Sequence, residues 1–487
     1  MSREKFVRES NIRKIMELRE KGINPYPYRY EKTHSVKYIL LSFKELMKSQ
    51  KTVKTAGRII SYRDLGSIIF VKLQDEEGEI QLIARKNITD KFEIFKKYVN
   101  RGDFIGVEGI CTLTKTGEKS IEIRSFEILA KAIRALPEKY HGIQDPEYKY
   151  RHRYLDFIFN PEKREILKKR YKIIKEMRNF LDERGFIEID TPVLQPVYGG
   201  AYARPFITYY NALERNFYLR IAPELYLKRL LIGGFEKVYE IGKNFRNEGM
   251  DATHNPEFLS LEFYQAYSDL YDIMKITENL IKHVTKKVNG SLKIQYQEHE
   301  INLNRFAKMS LEEALLKYSD IDVRNMTNEE IRELLEKKDI LLREESRNYL
   351  IAKLFEEEVE EKLIQPTFIL DYPKEISPLA KDHREKEGFV ERFELFIGGL
   401  EIANAFSELN DPIEQRKRFE EEMRKKAEIE EKHPLDEDFI KALEYGMPPA
   451  GGCGIGIERL ILILTNQRTI REIMAFPALR TCQESSE

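Results

Sequence analysis

The chain has 487 residues, of which 34% are charged and 41% hydrophobic, with a formal net charge of −1 and three cysteines. That length allows two or three domains with sizeable cores, and the composition is that of a highly charged globular protein. The sequence has no apolar run near the ~18 residues of a membrane helix and no apolar signal stretch in MSREKFVRES; Cys111, Cys453 and Cys482 form no C-x-x-C pair, so no membrane, disulfide framework or cysteine zinc site is expected, and a reducing cytoplasm is.

The small net charge hides an asymmetry. Residues 1–140 carry 29 Lys and Arg against 19 Asp and Glu, while the remainder carries 53 against 64. A basic front on an acidic body predicts that the front meets a polyanion. Residues 2–21 read as a basic amphipathic helix with Ile12, Ile15 or Met16, and Leu18 on one side. Strand-like runs follow: KTVKTAGRII, SIIFVKLQD, EIQLIAR, FIGVEGICTLT and SIEIRSFEIL, with turns at Gly66, Gly78 and Gly117. A helical piece, TDKFEIFKKYV, falls between the third and fourth. Five strands with a helix after the third is the order of an OB-fold barrel, whose face can stack exposed bases.

A linker is read at the Pro- and Gly-containing LPEKYHGIQDPEY (136–148), and boundaries are placed at 1–140 for the helix and barrel, 141–158 for the linker and 159–487 for a larger domain. NPEKREILKKRYKIIKEMRNFLDERG predicts a long helix with Leu167, Ile174, Met177 and Leu181 among its apolar positions, stopped at Gly185. Strand-like and helical pieces then alternate. Residues 309–362 are mostly helical and very charged, and read as an insertion with solvated faces.

In 236–267, two strand-like runs flank a polar loop containing Gly249, Asp251, Asn255 and Pro256, which predicts a long hairpin. Period two sends Leu259, Leu261 and Phe263 to a core, and Phe258, Ser260, Glu262 and Tyr264 to the opposite face. Near the C-terminus, GGCGIGIERL places Arg459 where a dinucleotide fingerprint needs its third glycine, and no following Rossmann half has room. The sequence also lacks a P-loop, an H-E-x-x-H and a G-x-S-x-G. KMSLE at 308–312 has the look of the lysine loop of class I synthetases, but no H-I-G-H precedes it and Lys308 arrives on an ordinary charged helix start.

Three of these stretches carry a resemblance. FRNEG with HNPEF resembles motif 2 of the class II aminoacyl-tRNA synthetases, GIGIERL resembles motif 3, and ERGFIEIDTPVL resembles motif 1, the dimer-interface element that ends near Pro192. GGAYARPFITYYNAL, RIAPELYLKRLLIGGFEKVYEIGKNFRNEG and GLEIANAFSELNDP resemble the bacterial-type lysyl-tRNA synthetases, over nearly the whole chain. The resemblance implies an α+β multidomain fold: an N-terminal five-stranded OB-fold β-barrel that binds the anticodon, and a C-terminal class II catalytic domain built on an antiparallel β-sheet flanked by helices. It also implies a homodimer acting on ATP, L-lysine and tRNA(Lys), with Mg2+.

The implied roles fall on particular residues. Arg246 would neutralise the amino-acid carboxylate and the α-phosphate, and Arg459 would hold the γ-phosphate of a bent ATP. Glu248, His254, Asn255 and Gly456 would border the nucleotide, and Phe258 would stack on adenine. Glu394 and Glu401, on either side of the Gly398-Gly399 turn, would contact Mg2+. Glu408 and Tyr264 would take the lysine ε-ammonium; Glu224 and the Gly200 backbone would take the α-ammonium; Glu262 and Asn404 would complete the lining. On the barrel, Phe70, Gln81 and Arg63 would read anticodon bases, although SIIFV is apolar throughout and its parity leaves Phe70 open to a core position. Two departures stand out: Glu458 where aspartate is common, and Leu400 where a basic residue often precedes the metal-side glutamate.

Overall fold

The computed structural model of the chain describes residues 3–137, 146–201, 203–338, 340, 342, 346–427 and 436–479. They fall into two compact units that divide between residues 144 and 145.

In the first unit, strands Thr52–Asp64, Ile68–Gln74, Glu79–Arg85, Phe104–Leu113 and Lys119–Ala130 close a barrel in which the last strand pairs between the third and the fourth. Strand alternation sends Val53, Ile69, Val71, Leu73 and Leu82 inward. The helix Phe92–Tyr98, between the third and fourth strands, adds Phe92, Phe95 and Tyr98 to the same core. Two short helices that the sequence reading passed over, Val36–Leu41 and Phe43–Ser49, add Val36, Ile39, Phe43 and Leu46. The basic helix forms over Arg3–Glu20 and chooses Ile15 and Leu18 as inward residues, leaving Met16 51% exposed. Gly106 is fixed by close approach, because a Cβ there would lie 2.2 Å from the Tyr30 ring.

The second unit is organised by an eight-stranded sheet. Its order is Ala307–Ser310, Thr367–Pro373, Phe389–Ile397, Leu400–Ser407, Ala450–Gly456, Glu257–Ala266, Lys237–Phe245, Ile187–Glu188. All neighbours are antiparallel except the pairings at the two edges. Helices Pro161–Asp182, Leu270–Asn289 and Ile457–Thr465 contribute to the core on one face, where Ile173, Met177, Leu280 and Ile461 join Leu261 and Phe263. The hairpin alternation expected from sequence is present, so the opposite face keeps Phe258, Ser260, Glu262 and Tyr264 for a cavity.

Two stretches differ from expectation in local structure. Of the linker at 141–158, residues 141–145 lie outside the described residues, and the helices Pro146–Arg151 and Arg153–Phe159 take up nearly all of the rest. Buried Arg153 explains the order, since it donates to Asp156 at 2.6 Å and to the Glu472 carbonyl at 2.8 Å. The 309–362 stretch is more than solvated helix. Its helices Leu311–Ser319, Asn328–Glu336 and Arg347–Glu358 bury Leu315, Ile331, Leu350 and Phe355 in a cluster that runs into Ile369 and Phe396 of the sheet. Lys308 lies in the edge strand, and Ser310 starts the next helix through a reciprocal capping box with Glu313.

Candidate active site

The sheet's open face and the insertion enclose a cavity of about 930 Å³. Its positive end comes from the motif 2 hairpin and the motif 3 helix. Arg246 follows the first hairpin strand, and its backbone N–H donates to the Pro256 carbonyl at 2.9 Å, which closes the loop. Its Nε is buried without a hydrogen-bond partner, and its guanidinium lies 5.0 Å from the Phe258 ring centroid. Burial lowers the Arg246 pKa against the pull of Glu248, Glu401 and Glu262, but a guanidinium keeps its charge in proteins. An unsatisfied buried donor of this kind is a cost that a bound anion removes.

Arg459 sits in the first turn of the helix Ile457–Thr465. Its Nη1 donates to the Glu401 carbonyl at 2.9 Å and to Glu401 Oε2 at 3.1 Å. Its Nη2 donates to His254 Nε2 at 3.0 Å, which places the ring proton on Nδ1, 2.7 Å from Asp251. Glu248 is exposed on the loop, and the Asn255 side chain donates to the Glu257 carbonyl at 2.6 Å. Both line the cavity with Phe258 and Gly456.

The glycines of motif 3 divide by role. A Cβ at Gly452 would lie 2.3 Å from the Tyr264 ring and 2.4 Å from Glu408 Oε1, so that residue is fixed by protein atoms. A Cβ at Gly454 or Gly456 would meet nothing closer than 3.7 Å. Those two face the cavity, and the room they leave is room for a ligand.

Glu394 and Glu401 come from adjacent strands joined by Gly398 and Gly399, whose φ angles of 64° and 74° suit glycine. A bulge between Leu395 and Phe396 re-phases the pairing so that Glu394 faces Asn404. Glu394 accepts from Arg392 at 2.5 Å and from the Tyr372 hydroxyl at 2.8 Å. Burial and the neighbouring Glu401 nevertheless push its carboxyl up to about 7, against Arg392. Glu360, from the insertion, is pushed up to about 8 by burial and by both of these carboxylates. Carboxylates crowded in this way favour an added cation. Among the described residues, no three His, Cys, Asp or Glu side chains are already arranged to hold a metal ion.

At the other end, Glu224 opens the helix Glu224–Ile232, and Gly200, with φ 86°, lies against it. Glu262 accepts from the Tyr264 hydroxyl at 3.0 Å. Burial and Glu224 push the Glu262 carboxyl up to about 8. Asn404 accepts from Arg392 Nε at 3.1 Å. Glu408 is 1% exposed, and its Oε1 has no hydrogen-bond partner. A buried acidic pocket with an unpaired carboxylate oxygen suits a cationic ligand. The expected residues of the second unit are therefore gathered around one cavity, with the exception of Glu408, which borders it beneath Gly452, and of Pro192. Pro192 lies exposed on the outer surface.

Several contributors were missed in the sequence. Arg392 and Tyr372 hold Glu394, Asn244 lines the cavity, and Lys228 is buried against Glu224 and Glu408. The only signal for Lys228 was its i,i+4 spacing from Glu224. Glu458 proves to be a tie: it accepts from Arg170 at 2.8 Å and from the Leu259 backbone at 2.9 Å.

On the barrel, Ile69 and Val71 point inward, whereas Phe70 is half-buried on the outer face. Arg63 is exposed and pairs in register with Phe70. Gln81 lies on the neighbouring strand and donates to Ser120 Oγ at 2.9 Å.

Both units are similar to known proteins. Residues 145–480 match the family of class II tRNA synthetases (D, K and N), and residues 53–129 match the OB-fold nucleic acid binding domain. The chain is 50% identical to lysine–tRNA ligase 2 of Methanosarcina mazei, over 97% of its length and 94% of that protein. It is 51% identical to the lysine–tRNA ligase of Carboxydothermus hydrogenoformans, over 96% and 97%. It is 48% identical to that of Bacillus cytotoxicus, over 97% and 96%.

Proposed function

We propose how this chain works from one premise: it belongs to the class II tRNA synthetases (D, K and N) and, within them, to the lysine–tRNA ligases. It activates lysine with ATP and transfers it to tRNA. The lysine carboxylate oxygen attacks the α-phosphorus of ATP, and the bond to pyrophosphate breaks, leaving lysyl-adenylate. The 3′-terminal ribose hydroxyl of tRNA(Lys) then attacks the acyl carbon, and AMP leaves.

Two anions must approach in the first step. Arg246, with its unsatisfied Nε, would neutralise both, and Arg459, held by Glu401 and His254, would grip the γ-phosphate. Phe258 would stack on adenine, with Glu248, Asn255 and Gly456 along the nucleotide. The residues fit Mg2+ brought with ATP: Glu394 and Glu401 would supply hard carboxylate oxygens to hold it. Bound there, Mg2+ would offset phosphate charge. Catalysis comes from positioning and charge neutralisation, with no protein nucleophile.

The observation that carries the choice of amino acid is the unpaired Glu408 Oε1, buried beside Tyr264. It would meet the ε-ammonium, while Glu224 and the Gly200 carbonyl would meet the α-ammonium, with Glu262 and Asn404 alongside. Amino-acid-dependent ATP–pyrophosphate exchange tests this. Lysine alone should support exchange, and exchange with aspartate in its place would overturn the pocket assignment.

The barrel's outer face would hold the anticodon, with Phe70 stacking and Gln81 and Arg63 contacting bases. The chain would act as a homodimer. Pro192 adjoins a three-stranded sheet, Leu194–Gln195, Arg215–Leu219 and Ile207–Tyr210, that leaves Leu194 50%, Ile207 57% and Tyr209 57% exposed. An apolar patch of that kind marks an interface. No helix among the described residues is long and apolar enough to cross a membrane, and the buried free thiols of Cys111 and Cys453 suit a reducing cytoplasm.

A further inference from the structure

Lys228 is a fully buried lysine of the chain itself, set behind the wall of the pocket that would receive a free one. It lies one helical turn beyond Glu224, and its ammonium is 2.6 Å from Glu224 Oε1. On the other side it touches Glu408 Oε2, at the far end of the strand Leu400–Ser407. The Phe406 ring stands 5.2 Å away. The two oxygens of Glu408 are thus divided: one rests on Lys228, and the other is buried with no partner. A carboxylate pinned by one oxygen presents the second in a fixed direction. Glu224 is likewise held through Oε1.

We propose that Lys228 is a positioning residue for the amino-acid substrate: it bridges Glu224 and Glu408 so that each presents its other oxygen to a substrate ammonium. The proposal rests on the assignment of this pocket to lysine. The charges around it explain why a bridge is needed. Glu224, Glu262 and Glu408 crowd one buried space, with the Tyr264 hydroxyl between them. Glu240 lies behind Glu262 and is paired with Arg220; Arg246 stands toward the nucleotide end. Burial pushes the Glu408 carboxyl up to about 8, and Lys228 holds it from rising further. The two carboxylates in turn keep Lys228 charged against its own burial. Without the bridge, burial and the neighbouring carboxylates would keep the Glu408 carboxyl neutral to a higher pH still, and a neutral carboxyl cannot form an ion pair with an ammonium.

Lysine-dependent ATP–pyrophosphate exchange by the full-length protein tests the assignment at pH 7 and pH 8.5. Lys228→Met should raise the lysine KM at least tenfold at pH 7 and leave the ATP KM within twofold. At pH 8.5 the gap should widen by at least a further threefold, because the wild-type Glu408 carboxyl has then passed its value of about 8 while the variant's, without the ammonium, has not. An unchanged lysine KM overturns the proposal. So does a loss equal at both pH values or shared with ATP, which marks packing alone. If the Met variant does not fold, Lys228→Arg carries the test. Its displaced charge should raise the lysine KM at least threefold while keeping the wild-type pH profile, and a wild-type KM would overturn the bridge. If the wild-type protein shows no lysine-dependent exchange, the pocket assignment itself fails.

Discussion

Arg246 and Glu408 each leave a polar atom buried and unsatisfied. Such groups cost stability in the free protein, and their complementary ions repay it on binding. Glu408→Gln keeps the shape and removes the charge. It should raise the lysine KM about 10²-fold, in line with roughly 2–5 kcal/mol for a buried charged pair, with the ATP KM unchanged; initial-rate exchange kinetics would show this. Glu262 makes a pH prediction. Its carboxyl rises from 4.5 to about 8 on folding, so the native state holds a proton that the unfolded chain releases. Its contribution to stability is fully present below 4.5 and is lost as the pH rises through about 8. The ligand-free melting temperature should therefore fall from pH 6 to 8.5, and lysine should reverse the fall. Lysine binding at pH 7 should release protons, which calorimetry in two buffers of different ionisation enthalpy would measure. At this scale the hairpin face was legible, because a strand alternates strictly and Glu262 needed only its parity. Lys228 was not legible. In LYLKRLL it resembles any solvent-facing lysine, and its partner Glu408 is 180 positions away in sequence.

Elements are joined here by buried ion pairs as well as by apolar contact. Glu458 links three of them: Arg170 on the helix Pro161–Asp182, the strand Glu257–Ala266 through Leu259, and its own helix Ile457–Thr465. An acid at this position thus fixes motif 3 against the long helix Pro161–Asp182 and the motif 2 hairpin. Arg170→Met would leave Glu458 buried with its charge uncompensated, at a cost of about 3–5 kcal/mol. Thermal unfolding should show a lowered midpoint, and exchange activity should fall with it. The elements themselves followed from periodicity where one face was apolar, as in the barrel strands and the long helix ending at Gly185. The insertion was misjudged because its charge dominates its composition. Leu315, Leu350 and Phe355 are spaced for a buried face, and they bring Glu360 to the cavity.

For the whole molecule, the two units carry separable tasks. Phe70→Ala should lower tRNA aminoacylation by the equivalent of about 1–3 kcal/mol for a stacked base and leave lysine-dependent exchange unchanged; parallel assays would separate the two. Leu194→Asp combined with Ile207→Asp places charge on the exposed patch beside Pro192. Analytical ultracentrifugation should then show a dimer for the wild-type protein and a monomer for the variant.

From the order of residues alone came the barrel's five strands and the motif 2 hairpin with its site-facing residues, because alternation and glycine stops are local properties of the chain. The family, too, was legible in FRNEG and GIGIERL. Tertiary structure decided the rest. It turned Phe70 outward, since which face of a continuous apolar strand meets the core depends on how the sheet closes. It also set Lys228 between Glu224 and Glu408, since a charge becomes part of a site only when distant segments fold around it and exclude water.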